Sequence, residues 1–177
     1  MEPSIDADPG PNVLRVNAKA EQIRAHMDDA LGRFTGFIGV NNHMGSRFTA
    51  NETAMRVMLG TLNSRGLLFL DSLTTARSVA RRVGRKLGLP VVARDVFLDD
   101  DNSPDEVLIR LAETERVARK HGSAIAIGPD GLFVAAPHGF EGAVFQVDGI
   151  APILLVSGTG RLGAHLAITE EGLWIAA

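Results

Sequence analysis

Four short apolar runs, separated by stretches with helical spacing, constrain this chain most. They are Phe37 to Val40, Leu67 to Leu70, Pro90 to Ala93 and Ser123 to Ile127. Each is nearly continuous in apolar character rather than alternating, as a strand covered on both faces must be. They recur at intervals of roughly 23–33 residues, the rhythm of strand, helix and strand in a parallel α/β sheet. A chain of 177 residues is long enough to bury such a core as one domain of ordinary size.

The helices between the runs carry their own punctuation. Asn17 is placed to cap a helix with Ala20, Ile23, Met27, Ala30 and Leu31 on one face. Thr49 and Glu52 have capping-box spacing ahead of Met55, Met58, Leu59 and Leu62, with Gly66 beyond the end. Ser72 to Thr75 precede Ala76, Val79, Ala80, Val83 and Leu87, and Gly88 and Pro90 close that helix. Ser103-Pro104-Asp105-Glu106 supplies a cap, a first-turn proline and two acids at the positive end of the helix dipole. That last helix finishes with Arg119, Lys120, His121 and Gly122.

The pattern changes near Gly128. Residues 1–128 hold 17 Lys+Arg and 16 Asp+Glu, whereas the last 49 hold 1 and 5, and 8 of the 19 glycines fall there. The expected organisation is an α/β part over 1–128 and a Gly-rich, β-rich irregular tail over 129–177 packed on the same domain. In the tail, Leu132 to Val134, Ala143 to Val147 and Ile153 to Val156 read as short strands with no helix between them. The 18 basic and 21 acidic residues leave a net charge of −3, so no polyanionic partner such as nucleic acid is indicated. With no cysteine, disulfide frameworks, thiolate metal sites and a catalytic thiol are excluded. No apolar run approaches the roughly 20 residues that span a bilayer. The first twelve residues, with four Pro or Gly and three acids, read as neither signal nor transit peptide.

Ligands of parallel α/β folds collect beyond the carboxyl ends of the strands. Here the first run leads into Asn41-Asn42-His43-Met44-Gly45-Ser46-Arg47, the second into Asp71-Ser72, the third into Arg94-Asp95 and the fourth into Gly128-Pro129. Three successive strands thus deliver polar or ionisable groups to one edge. Singly, Asp71 or Ser72 reads equally as a helix cap, and Arg94 with Asp95 as a local ion pair. His43 reads as a metal ligand or acid/base, or as a loop histidine bonded to a carbonyl. His26 and His121 lie on helices, and His138 and His165 have no ligand-like partner nearby in sequence.

These segments carry a resemblance. Gly39-Val40-Asn41-Asn42-His43-Met44-Gly45-Ser46-Arg47-Phe48-Thr49, then Leu70-Asp71-Ser72, Arg94-Asp95-Val96-Phe97-Leu98-Asp99 and Ala124-Ile125-Ala126-Ile127-Gly128 resemble the divergent polysaccharide deacetylases. The resemblance implies a partial (β/α) barrel, flanked by helices, and hydrolysis of acetyl groups on a carbohydrate with a divalent, zinc-like metal. On that analogy a metal-activated water attacks the acetyl carbonyl, a carboxylate is the base and a histidine protonates the leaving amine. It places Asp71, Asp95 and Arg94 in catalytic positions, Asn41, Asn42, Ser46 and Ser72 against an acetylated saccharide, and His43 on the metal. Relatives are often periplasmic or exported.

The pattern also departs from the family's. The expected Asp-Asp strand would precede Met1, since Met1-Glu2-Pro3 resembles a stretch downstream of it. An expected Ile-Gly-His-Pro reads Ile127-Gly128-Pro129 here. The activity expected of this chain is therefore weak or absent. The alternatives are a non-catalytic carbohydrate- or partner-binding module, or a truncated or frame-altered product without function. A barrel lacking strands would expose unpaired sheet edges, so either a homodimer through them or poor solubility is expected.

Weaker signals have plainer explanations. Gly158-Thr159-Gly160-Arg161-Leu162-Gly163 fits a dinucleotide fingerprint but has little room for the helix, strand and acid that should follow. Asp99 to Asp101 read as a solvated loop favoured by a helix dipole, and Arg81, Arg82, Arg85 and Lys86 as a solvated helix face.

Overall fold

The computed structural model describes residues 1–128 except 11, 34, 36 and 99–102, and thereafter only the backbone of the strands named below. In chain order the elements are α1 (Ala20–Leu31), β1 (Gly39–Asn41), α2 (Ser46–Thr49), α3 (Glu52–Asn63), β2 (Leu68–Asp71), α4 (Ala80–Leu87) and β3 (Val91–Ala93). They continue with β4 (Val96–Phe97), α5 (Pro104–His121), β5 (Ala124–Gly128), β6 (Gly131–Ala136), β7 (Gly139–Val144), β8 (Pro152–Ile153), β9 (Leu166–Thr169) and β10 (Gly172–Ile175). The fold is mixed α/β, with parallel strands flanked by helices. Two compact units form: Met1–Ala93 with Val147–Ile153, and Arg94–Gln146 with Leu154–Ala177.

The first unit holds a sheet in the order β3-β2-β1-β8. β1 and β2 are parallel with Val40 beside Phe69, β2 and β3 are parallel with Leu70 beside Val92, and β8 runs antiparallel to β1. Phe69 and Leu70 are fully buried, which explains why these strands are continuous apolar runs. The core joins Ile23, Met27 and Leu31 of α1 to Met55, Met58, Leu59 and Leu62 of α3 and Val83 of α4, with Phe48 and Phe69. Each such large side chain contributes about 1.5–3 kcal/mol on burial. β1 lies close against β2 at Gly39, where a Cβ would fall 2.5 Å from Leu68 Cδ1 and 2.7 Å from the Leu68 carbonyl oxygen.

In the second unit β4 and β5 are parallel, with Val96 beside Ala126, and β5, β6 and β7 follow antiparallel. Val96, Leu98 and Ala126 are buried under Leu111 and Val117 of α5. α5 begins at Pro104 with Asp105 and Glu106 in its first turn, and Gly122 ends it at φ +89 with its amide donating to the Ala118 carbonyl. β9 and β10 pair antiparallel.

The runs at 37–40, 67–70, 90–93 and 123–127 each hold a strand, and the faces of α1 and α3 are those read from spacing, whereas Ala76, expected on the next helix face, is exposed in the loop before α4. The caps move. α1 is entered from Lys19 rather than Asn17, with Gln22 Oε1 accepting the Lys19 amide. α3 is capped by Asn51, whose Oδ1 accepts from the Ala54 amide, while the Thr49 hydroxyl turns back to the Gly45 carbonyl. α4 starts only at Ala80. Residues 72–79 form a loop because the Val79 amide donates to the Thr49 carbonyl and the Ser78 hydroxyl to Asp71. Two-residue β4 carried no run long enough to read, and β7 ends three residues before Val147. Asp99 to Asp101, residues 158–163, His138 and His165 lie outside the described residues.

Candidate functional site

The first unit brings Asn41, Asn42, Asp71 and Ser72 together, because β1 and β2 are parallel neighbours that end at the same edge. Asn42, Asp71 and Ser72 are buried. The Ser72 hydroxyl donates to the Asn42 carbonyl at 2.6 Å, and the Ser72 amide donates to Asn42 Oδ1 at 2.9 Å. Asn42 Nδ2 donates in turn to the Met44 carbonyl at 2.7 Å, which also receives the Thr74 hydroxyl at 3.2 Å. Two non-glycine residues in the left-handed region, Met44 at φ +51 and Leu73 at φ +47, sit inside this network. Such conformations persist only where surrounding bonds fix them.

Asn41 occupies the end of β1. Ser72 Oγ spends its one proton on the Asn42 carbonyl, so it faces Asn41 as an acceptor, and Asn41 Nδ2 donates to it at 3.3 Å. That orientation leaves Asn41 Oδ1 buried with no hydrogen-bond partner among the described residues. A buried acceptor without a donor is costly, by about 1–3 kcal/mol.

Asp71 is held by its own loop. Oδ1 accepts the Leu73 amide at 2.9 Å and Oδ2 accepts the Ser78 hydroxyl at 2.5 Å. It thus closes the β2–α4 connection as an Asx-type turn. Ser46 opens α2 and meets the N-terminal segment: its Oγ accepts the Ser4 amide at 2.7 Å and lies 2.8 Å from Ser4 Oγ. His43 is exposed in the same loop, and its carbonyl accepts the Met1 amino group at 3.2 Å. Burial pushes that amino group below its usual range.

Sequence reasoning passed over Glu2, which organises this loop. Its carbonyl accepts the Arg47 and Phe48 amides, and its carboxylate binds the Arg47 guanidinium at 3.1 Å and the Val16 amide at 2.8 Å. No local spacing reveals such a contact, because its partners lie 14 and 45 positions away.

Arg94 and Asp95 belong to the second unit. The Arg94 guanidinium lies over the Phe97 ring, 4.5 Å from its centroid. Asp95 Oδ2 accepts the Ile125 amide at 2.9 Å, extending the β4–β5 ladder by one bond.

No three His, Asp or Glu side chains converge to hold a metal among the described residues. A catalytic zinc generally takes three protein ligands and keeps one open position. Among the described residues His43 therefore has no such set around it, and Asp71 accepts the Leu73 amide and the Ser78 hydroxyl.

Comparison with known proteins matches residues 1–130 to the profile described as divergent polysaccharide deacetylase. The chain belongs to this family. An uncharacterised protein of Haemophilus influenzae is 38% identical over 115 residues, covering 65% of this chain and 41% of that protein. The uncharacterised YibQ of Escherichia coli is 34% identical over 117 residues, covering 66% of this chain and 37% of YibQ. The chain therefore spans about two fifths of the length of the curated relatives it matches. The crystal structure of an uncharacterised Agrobacterium tumefaciens protein aligns with a TM-score of 0.69 at 30% identity, over 72% of this chain and 52% of the other. The deacetylase segments quoted from the sequence all fall within the matched residues, and no helix among the described residues is long and apolar enough to cross a membrane.

Proposed function

We propose that this chain supplies the saccharide-binding edge of a divergent polysaccharide deacetylase, and that by itself it releases acetate weakly or not at all. The observation that carries the reading is the unpartnered, buried Asn41 Oδ1 beside Ser72. Sugar hydroxyls and the N–H of an acetamido group are the donors such an acceptor lacks. Family membership supports an acetylated carbohydrate as the ligand class and a hydrolase as the reaction class. The match over residues 1–130 supports taking 1–128 as the deacetylase-like part of the chain, with 129–177 as an atypical Gly-rich tail packed on the same domain.

In this reading Asn41, Asn42, Ser46 and Ser72 form the saccharide edge of the first unit, Asp71 keeps its catalytic assignment there and His43 that of metal ligand, while Arg94 and Asp95, which belong to the second unit, are not assigned to this edge. The expectation of weak turnover rests on the state of those groups. As general base Asp71 would first have to give up the Ser78 hydroxyl, and His43 is a single imidazole at this edge.

The test is calorimetric titration with an N-acetylated chito-oligosaccharide, alongside an acetate-release assay. Saturable binding insensitive to a chelator and weakened by Asn41→Ala is expected. No binding at millimolar ligand overturns the binding role. Acetate release abolished both by a chelator and by His43→Ala overturns the expectation of weak turnover.

A further inference from the structure

Residues 13–18 run beside the first two turns of α1 and leave an open cleft of about 440 Å³ between them. It is lined by Arg15, Asn17, Gln22 and His26 together with Val13, Ala18 and Ala25, and none of these belongs to the strand-end cluster. Its size lies within the roughly 300–1,000 Å³ of small-molecule sites.

The charges along α1 are mostly compensated. Glu21 lies 4.0 Å from Arg24, Asp28 is paired with Arg65 at 2.5 Å and Asp29 with Arg33 at 2.6 Å. The carboxylate of Glu2, which reaches the Val16 amide, is taken by Arg47. The Arg15 and His26 side chains have no hydrogen bond or ion pair among the described residues. Gln22 spends its Oε1 on the Lys19 amide, which leaves its NH₂ group as donor. The cleft therefore offers a guanidinium fork, an imidazole and a carboxamide NH₂, with the Asn17 carboxamide beside them and Val13, Ala18 and Ala25 as its apolar lining.

We infer that this cleft binds a small organic carboxylate. A planar guanidinium matches a carboxylate in two parallel hydrogen bonds, which an isolated point charge does not. The apolar walls give the organic part of the ligand a surface to cover, which an inorganic anion cannot use.

The test uses the full chain labelled for NMR and titrated with benzoate, benzamide and inorganic phosphate. Benzoate is expected to shift the amides of residues 13–26 saturably, benzamide to leave them in place and phosphate to compete poorly. Arg15→Gln, an exposed substitution that leaves the core untouched, is expected to weaken benzoate by about tenfold, the loss of one charge-assisted contact. His26→Gln, also exposed, is expected to weaken it as well. No saturation up to about 10 mM benzoate overturns the assignment. So does equal binding of benzamide, phosphate competing as well as benzoate, or unchanged affinity in both variants.

Discussion

Ser72 and Asn42 lock the ends of two parallel strands to each other: hydroxyl to carbonyl at 2.6 Å, amide to side-chain oxygen at 2.9 Å. Both residues are almost fully buried, so neither bond has water as a ready substitute. Ser72→Ala removes the hydroxyl and strands the Asn42 carbonyl. The expected cost is about 1–3 kcal/mol, read as a lower urea midpoint with an unchanged slope. An unchanged midpoint would mean that the strand ends are held by something other than this pair.

Glu52 binds Arg56 at 3.0 Å, Arg82 at 2.7 Å and Lys86 at 3.1 Å, joining α3 to α4 through one carboxylate. The Lys86 and Arg82 hydrogen bonds hold its pKa at about 2, below the ordinary 4.5. The folded chain then binds fewer protons at this group than the unfolded chain between those values. Its contribution is full above pH 4.5 and is lost as pH falls toward 2. Urea midpoints of the natural chain and Glu52→Gln are expected to differ at pH 7 and to draw together as pH falls from 4.5 toward 2, with the gap narrowing in high salt because the site is partly exposed. A gap constant with pH would remove the ion pairs from the account.

Two glycines are expected to respond oppositely to alanine. At Gly39 the new Cβ meets Leu68 at 2.5 Å and its carbonyl oxygen at 2.7 Å, so β1 must move off β2, at a cost of about 1–3 kcal/mol. At Gly60, inside α3, nothing lies within 4 Å, and alanine is expected to stabilise by about 0.4–1 kcal/mol. Thermal melts of the two variants check both signs.

β3 is the last strand on one side of its sheet, and Val92 on it is 40% exposed. Strands in that position pair readily with another chain. Self-association that grows with concentration is expected in light scattering. A constant monomer mass across concentrations would exclude it.

The sequence by itself determined the longer strands and helices, though not the short α2 and β4, because apolar runs and three-four spacing report burial that any packing of this chain must satisfy. It also determined the family, since the segment from Gly39 to Thr49 is long enough to be specific. Cap positions shifted, by two residues for α1 and α3 and by at least four for α4, because they depend on partners in other elements. Asn51 won over Thr49 once Thr49 was drawn to Gly45, and α4 started late because Asp71 and Thr49 hold Ser78 and Val79. The strand-end polar residues were legible as a group, since parallel strands deliver their carboxyl ends to one edge. What each does there was not legible. Only the tertiary structure decided that Asn42 and Ser72 bond to each other, that Asp71 accepts from the Leu73 amide and the Ser78 hydroxyl, and that Asn41 keeps a buried acceptor unspent among the described residues. Side-chain hydrogen bonds reach across dozens of positions in sequence, and no local pattern encodes which of the available donors arrives.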